Sequence, residues 1–399
     1  MRKILSLFMV FSVVLGLPIA VFADFSSGKT ERKIVVFKSG VNESVKDNLI
    51  IKHKGIKVKD SGHNKNLKVV NLTDKEGYNL AKNPEVLRVD DDILISINHK
   101  ESVSGKYKSK VVSQPAQVLP WGIDKIDAEL SWATSEGVGI NVAVLDTGID
   151  LTHPDLKANI KGKFNAINSR KSATDDNGHG THVAGIIGAL DNSIGVVGVA
   201  PEVSLYAVKV LDSRGSGYLS DIIEGIDWSI ANGINVINMS FGTNSNIGSF
   251  ADAVGRAVDK GIVLVAAAGN DGGAVDYPGA YDGVIAVSAT DSSDTITSWS
   301  SRGPEVSLAA PGLNILSTWK GSIYKTISGT SMASPHVAGS VASIMASPVD
   351  PLYDLNTNSI WDAGEVRSKI QDKSTDLGDT GFDNSYGFGL VNLFNSLSL

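Results

Sequence analysis

From residue 118 onward, short apolar runs recur between polar breaks. Residues 140–145 form one such run, ending in Asp146-Thr147-Gly148, and residues 205–211, 236–239, 262–267 and 284–288 form four more. Each is bounded by Gly, Asn or Asp. Between several of them the apolar residues take helical spacing, as in 219–231 and 250–259. Runs that are apolar throughout, rather than alternating, predict parallel strands covered by helices on both faces. The expected fold class is α/β, a parallel sheet flanked by helices. In such sheets the ligand crevice lies off the carboxyl ends of the strands. No internal repeat is visible.

The chain before residue 118 reads differently. Residues 34–37 and 67–70 predict strands, 41–54 and 73–83 predict helices, and 86–97 predicts a last strand interrupted by Asp90-Asp91-Asp92. Thr73 with Glu76 three residues on has the form of a capping box. The order expected is β-α-β-β-α-β, a small ferredoxin-like α+β unit. Residues 99–115 are rich in Ser, Lys and Gly without periodicity and read as a linker. At the very start, Met1-Arg2-Lys3 supplies a positive end, residues 4–22 are apolar but broken by Gly16 and Pro18, and Val21-Phe22-Ala23 offers small residues where a signal peptidase reads. That is the pattern of a secretory signal removed after Ala23. The expected division is 1–23 signal, 24–110 N-terminal unit and linker, 111–399 main domain.

Composition narrows the chemistry. The 399 residues include no cysteine, which excludes a thiol nucleophile, a disulfide framework and thiolate metal sites. A net charge of −7 argues against nucleic acid as a partner. The charge is unevenly spread: residues 24–110 hold 18 Lys and Arg against 12 Asp and Glu, and residues 111–399 hold 16 against 31. A basic part followed by an acidic one suggests that the first docks on the second, or that the second binds cations.

Three segments carry candidate chemistry. Val144-Leu145-Asp146-Thr147-Gly148 is a strand ending in a carboxylate. The run from Asn177 to Gly185 has His179 and His182 opening a helical stretch. The run from Ser328 to Gly339 has a glycine turn, Ser331, then a helix of small residues. A serine hydroxyl becomes a nucleophile when a base takes its proton, and histidine suits that task near neutral pH. A buried carboxylate fixes the imidazole tautomer. A serine at a helix start sits where the dipole favours developing negative charge. The chain order Asp, His, Ser is one of three known for this geometry.

With these motifs the chain resembles the subtilisin-like serine proteases over nearly the whole of 115–396. The resemblance extends to Val199-Ala200-Pro201, Asn238-Met239-Ser240, Ala267-Ala268-Gly269-Asn270, Tyr277-Pro278-Gly279 and Ala309-Ala310-Pro311-Gly312. It implies a secreted endopeptidase with Asp146, His179 and Ser331 as the triad, His179 rather than His182 as the base, and Asn270 as the side-chain donor of the oxyanion hole. It implies that residues 24–110 form a propeptide acting as intramolecular chaperone and inhibitor of a monomeric enzyme. It implies a Ca²⁺ site made by the side chains of Gln117, Asp155 and Asn192 and the carbonyls of Leu190, Ile194 and Val196. Substrate would lie extended along Ser216-Gly217-Tyr218 and Ser240-Phe241-Gly242, with Leu219, Ile222 and Phe241 lining an apolar pocket for the fourth residue before the cut. A non-catalytic binding module, or an acyl-transferring ligase or esterase on the same site, are the competing readings.

Two further expectations concern this chain in particular. Oxygen-bearing side chains at Asp354, Asn356, Asn358, Asp362 and Glu365, with the Ile360 carbonyl between them, follow the ladder of an EF-hand calcium loop, although Ser359 stands where glycine is expected and Trp361 where an aliphatic is usual. A plain turn with Glu365 starting a helix is the other reading. Asp276, placed by the resemblance at the floor of the primary pocket with Asp271 near its rim, predicts a preference for Lys or Arg. The linker run Tyr107-Lys108-Ser109-Lys110 predicts self-cleavage at Lys110–Val111, leaving Gln117 able to reach the calcium loop.

Overall fold

The computed structural model describes residues 28–97 and 114–398. The signal segment and the Lys110–Val111 bond lie outside them. Among the described residues no helix is long and apolar enough to cross a membrane.

The N-terminal unit runs β1 (Glu31–Phe37), α1 (Glu43–Lys52), β2 (Ile56–Asp60), β3 (Leu67–Leu72), α2 (Asp74–Ala81) and β4 (Val86–Asp91). Its sheet is antiparallel in the order β2-β3-β1-β4. The β-α-β-β-α-β order is the one expected. The periodicity gives no sign of β2, because it is an edge strand that is exposed on nearly every residue. Thr73 caps α2 by accepting from Glu76 N. The single strand expected over 86–97 breaks at Asp92: β4 stays in this sheet, and β5 (Leu94–Ser96) crosses to the main domain.

The side chains of β1 and β3 divide with the period of two that a strand imposes. Val35, Phe37, Val70 and Leu72 pack in a small core of the unit's own, under α1 and α2. Ile34 and Val69, on the other face, join a core that belongs mostly to the main domain.

The main domain begins with α3 (Trp121–Lys125) and continues β6 (Asn141–Asp146), β7 (Ile160–Asn165), α4 (His179–Gly188), β8 (Ser204–Lys209), β9 (Ser216–Tyr218), α5 (Leu219–Ala231), β10 (Val236–Met239), α6 (Gly248–Asp259), β11 (Val263–Ala267), β12 (Val284–Thr290) and β13 (Val306–Pro311). A hairpin of β14 (Ile315–Trp319) and β15 (Ile323–Ile327) leads to α7 (Thr330–Ala346), α8 (Ala363–Asp372) and α9 (Leu393–Leu397). Seven strands form one parallel sheet in the order β13-β12-β11-β10-β6-β8-β7. One face is covered by α4 and α7, the other by α5 and α6. The central strands are buried on both faces, which is why they read as continuous apolar runs. β7 and β8 lie on one side of β6 and β10 to β13 on the other, so the carboxyl end of β6 is the switch point where a crevice forms.

Candidate active site

Asp146 is the last residue of β6 and His179 the first of α4, and both are fully buried. His179 Nδ1 lies 2.7 Å from Asp146 Oδ1 and 2.8 Å from Oδ2. Carboxylate oxygens only accept, so Nδ1 carries the proton and Nε2 is the basic nitrogen. The start of α4 is held by a residue the sequence reading did not single out. Asp175 Oδ1 accepts from Asn177 N, Gly178 N and Thr147 Oγ1, and Oδ2 accepts from Thr181 N and Oγ1. These take up first-turn donors that the helix cannot satisfy itself. The acid four residues before His179 was the available signal. Lys209 Nζ donates to Thr147 O at 2.7 Å and Leu211 O at 2.9 Å, fixing the turn after Asp146.

The second histidine is structural. His182 Nε2 donates to the carbonyls of Ile315 and Lys325, tying α4 to the β14–β15 hairpin. Burial, then the neighbouring His179, holds its pKa down at about 3, so it stays neutral.

Ser331 is the second residue of α7, and its Oγ donates to Ser240 O at 3.0 Å. Pro335 lies four residues on and has no N–H for the Ser331 carbonyl. Ser240 Oγ donates to that carbonyl instead, at 3.0 Å. Proline inside this helix therefore locks Ser331 to the end of β10. Asn270, just after β11, accepts through Oδ1 from Thr330 N at 2.9 Å and Thr330 Oγ1 at 3.0 Å. This identifies the amide oxygen and turns Nδ2 the other way. A Cβ on Gly329 would lie 3.6 Å from Ser331 N, 3.7 Å from Asn270 Nδ2 and 3.8 Å from Asn270 Oδ1, so the Ser331 N–H and the Asn270 amide border one small volume.

The groove beside these residues is filled by the chain itself. Leu94, Ile95 and Ser96 pair antiparallel with Tyr218, Gly217 and Ser216, Ser96 also bridges Gly242, and Ile97 N donates to Gly215 O at 2.9 Å. The segment is a third strand between the two segments expected to bind substrate. Ile95, 1 % exposed, is buried with Leu219, Ile222 and Phe241, the residues expected to line the apolar pocket. Asp276, also expected at the substrate site, lies next to Gly242 and Gly269. Asp271 turns to its own loop, accepting from Gly273 N and Ser301 Oγ, and these bonds hold its pKa below the usual carboxylate range.

The first set of expected calcium ligands converges. Bridges between Ala116 and Ile194 and between Val118 and Val196 bring Gln117 alongside the loop. Gln117 Oε1 accepts from Asn192 N, and Asp155 accepts from Asn192 Nδ2 at 2.7 Å and Val196 N at 3.0 Å. Leu190 N donates to Asp155 O. Asp155 is fully buried, and burial raises its pKa. Asn192 turns its Nδ2 to the Asp155 carboxylate, while its Oδ1 accepts from Ile194 N at 2.7 Å.

In the 354–365 loop, Asp354 Oδ1 and Oδ2 accept from Asn358 N and Ser359 N, Asn358 Oδ1 accepts from Ile360 N, and Asn356 Nδ2 donates to Asp362 Oδ2. Ser359 has a left-handed φ of 57°, the conformation for which glycine was expected there. Asp362 and Glu365 close a capping box on α8, and Glu365 Oε1 also accepts from Leu355 N. Trp361 Nε1 donates to Ser347 O, which accounts for the aromatic at its position.

Residues 137–389 match the model of the subtilase family. Subtilisin Savinase of Lederbergia lenta is 45 % identical over 279 residues, covering 69 % of this chain and 98 % of that protein. Subtilisin E of Bacillus subtilis is 40 % identical over 374 residues, covering 91 % of this chain and 90 % of its own length. An alkaline protease of Shouchella clausii is 44 % identical over 283 residues, covering 70 % of each chain. With the seven-stranded parallel sheet, these matches show that the chain belongs to the subtilase family and is a subtilisin-like serine endopeptidase.

Proposed function

We propose that Asp146, His179 and Ser331 cut peptide bonds by acyl transfer. Ser331 Oγ turns from Ser240 O toward His179 Nε2, gives up its proton there, and attacks the substrate carbonyl. Asn270 Nδ2 and Ser331 N donate to the oxygen as it gains charge. His179 then passes the proton to the leaving amine, which departs and leaves an ester on Ser331. Water, deprotonated by the same nitrogen, hydrolyses that ester and restores the serine. The observation that carries the reading is the pair of donors beside Gly329, next to a serine held at a helix start. The test is labelling by an organofluorophosphate: it should mark Ser331 and fail with Ser331→Ala. Absence of label on the wild-type enzyme would favour a non-catalytic module, and label without proteolysis an esterase or ligase.

The N-terminal unit is proposed as the propeptide of a secreted, monomeric proenzyme, following a signal over 1–23. In its docked position it fills the substrate groove and so inhibits. The processing bond is proposed to be Lys110–Val111, which lies outside the described residues; N-terminal sequencing of the mature enzyme tests it.

Ca²⁺ is proposed at the site of Gln117, Asp155, Leu190, Asn192, Ile194 and Val196. Asp155 is buried there beside the Asn192 amide and the Val196 N–H, and a flip of the Asn192 amide would present its oxygen to the ion while giving up the bond from Ile194 N. A second ion is proposed at Asp354, Asn356, Asn358, Ile360, Asp362 and Glu365. When bound, the metal supplies cross-linking of loops rather than chemistry at the scissile bond.

A further inference from the structure

Near the nucleophile lies a buried carboxylate without a partner. Asp276 is 7 % exposed, and among the described residues nothing hydrogen-bonds or ion-pairs with its side chain. Its backbone N–H donates to Ala268 O, and its neighbour Tyr277 pairs with Thr243. Asp276 is thereby held between the segment that follows β10 and the segment that follows β11. Both walls are glycine where it sits. A Cβ on Gly242 would come 2.7 Å from Asp276 Cβ, and one on Gly269 would come 2.8 Å from its Oδ2. One wall leads to Ser240, whose carbonyl holds Ser331 Oγ, and the other leads to Asn270.

We infer that Asp276 is the specificity-determining anion of the pocket for the substrate residue whose carbonyl Ser331 attacks, that it selects lysine or arginine there, and that acid abolishes the selection. The inference rests on the endopeptidase reading and adds to it a substrate class and a pH dependence. A large apolar side chain in this slot would cover an ionised carboxylate and leave it unpaired, which is costly. A substrate ammonium or guanidinium would instead form a charge-assisted hydrogen bond with it. Burial, then the charge of Asp271, pushes the Asp276 pKa up to about 6. Asp271 faces it from the segment after β11. The 240–243 wall carries no titratable side chain, the Ser301 hydroxyl is turned to Asp271, and Arg302 reaches the Thr297 carbonyl. Asp276 is therefore ionised in alkaline solution and neutral in moderate acid, while Asp271 keeps its charge in both.

The test uses the mature enzyme and peptide substrates identical except for Lys, Arg or Phe before the cut, read as ratios of kcat/KM at pH 8.5 and pH 5. Ratios cancel the common titration of the catalytic histidine. The Lys-to-Phe ratio should fall by about tenfold to a hundredfold in Asp276→Asn at pH 8.5, the worth of one hydrogen bond to a charged group. It should fall similarly in the wild-type enzyme at pH 5, and the variant's ratio should not change with pH. The wild-type arm stands even if the variant fails to mature. A wild-type ratio that favours Phe at pH 8.5, or one that Asp276→Asn leaves unchanged, would overturn the proposal while hydrolysis itself persists. Loss of all hydrolysis together with loss of organofluorophosphate labelling would overturn the endopeptidase reading and this one with it.

Discussion

The two parts of this chain solve the burial problem in opposite ways. The main domain covers its parallel sheet on both faces with its own helices, and strands such as β6, β10 and β11 are buried along almost their whole length. That unit covers only one face of its sheet with α1 and α2, and sends Ile34 and Val69 into a core shared with the main domain. A unit of this size leaves a large share of its surface unburied when alone. The dependence also runs the other way. Helices α5 and α6 have no side-chain cap of their own. Asp92 accepts from Ser220 N and Asp90 accepts from Ser249 N, so the acidic run that interrupts the last strand caps two helices of its neighbour. Ion pairs from Lys59 to Asp221 and from Arg88 to Asp252 add to the joint. The bulk charge difference has a local form here, a few basic residues on acids and two acids on helix ends.

The sharpest separation of the two parts comes from Ser331→Ala. It should lower proteolysis by about 10³-fold or more while leaving the main domain folded, and the precursor should accumulate as one chain. Activity assays and gel analysis of the expressed protein check this, and normal maturation in a protease-free host would break the self-processing link. Next is Asn270→Ala, which removes one of two donors to the oxyanion. It should lower kcat by about 10²- to 10³-fold with little change in KM.

A third prediction tests the joint itself. Added in trans, the N-terminal unit should inhibit the mature enzyme, and Ile95→Ala should weaken that inhibition at least about tenfold, since Ile95 is buried in the groove. Leu94→Ala should change it little, because Leu94 is 53 % exposed. Equal effects would mean that the strand docks without its pocket.

Calcium sharpens the comparison within the main domain. Chelation should lower Tm, and Asp155→Asn should remove most of that dependence. Asp354→Ala combined with Glu365→Ala should lower the stoichiometry by one, and an unchanged stoichiometry would dismiss the second site. The smallest effect is on acid stability. His182 is neutral and buried with a pKa lowered to about 3, whereas an unfolded histidine titrates at about 6.5. The unfolded chain takes up that proton first, so stability is full above about pH 6.5 and declines as pH falls toward 3. Replacing His182 with glutamine should flatten that part of a denaturant-midpoint profile.

The linear chain carried much of this. Uninterrupted apolar runs determined the parallel sheet, because strands buried on both faces admit few polar side chains. The motifs around Asp146, His179 and Ser331 gave the candidate chemistry, because catalysis constrains both residue type and local turn. What they could not convey depends on distant neighbours. β2 was silent because an edge strand exposed on nearly every residue needs no hydrophobic period. Asp175 looked like one more loop acid until the fold put it under the first turn of α4. His179 and His182, three residues apart, differ because one meets a carboxylate and the other two backbone carbonyls. The acids at 90–92 read as a break in a strand, yet Asp90 and Asp92 are helix caps once a second domain stands against them, and Asp91 pairs with Lys33. Local sequence sets each segment's preferred conformation. Which buried group finds which partner is decided only when segments remote in the chain are packed together.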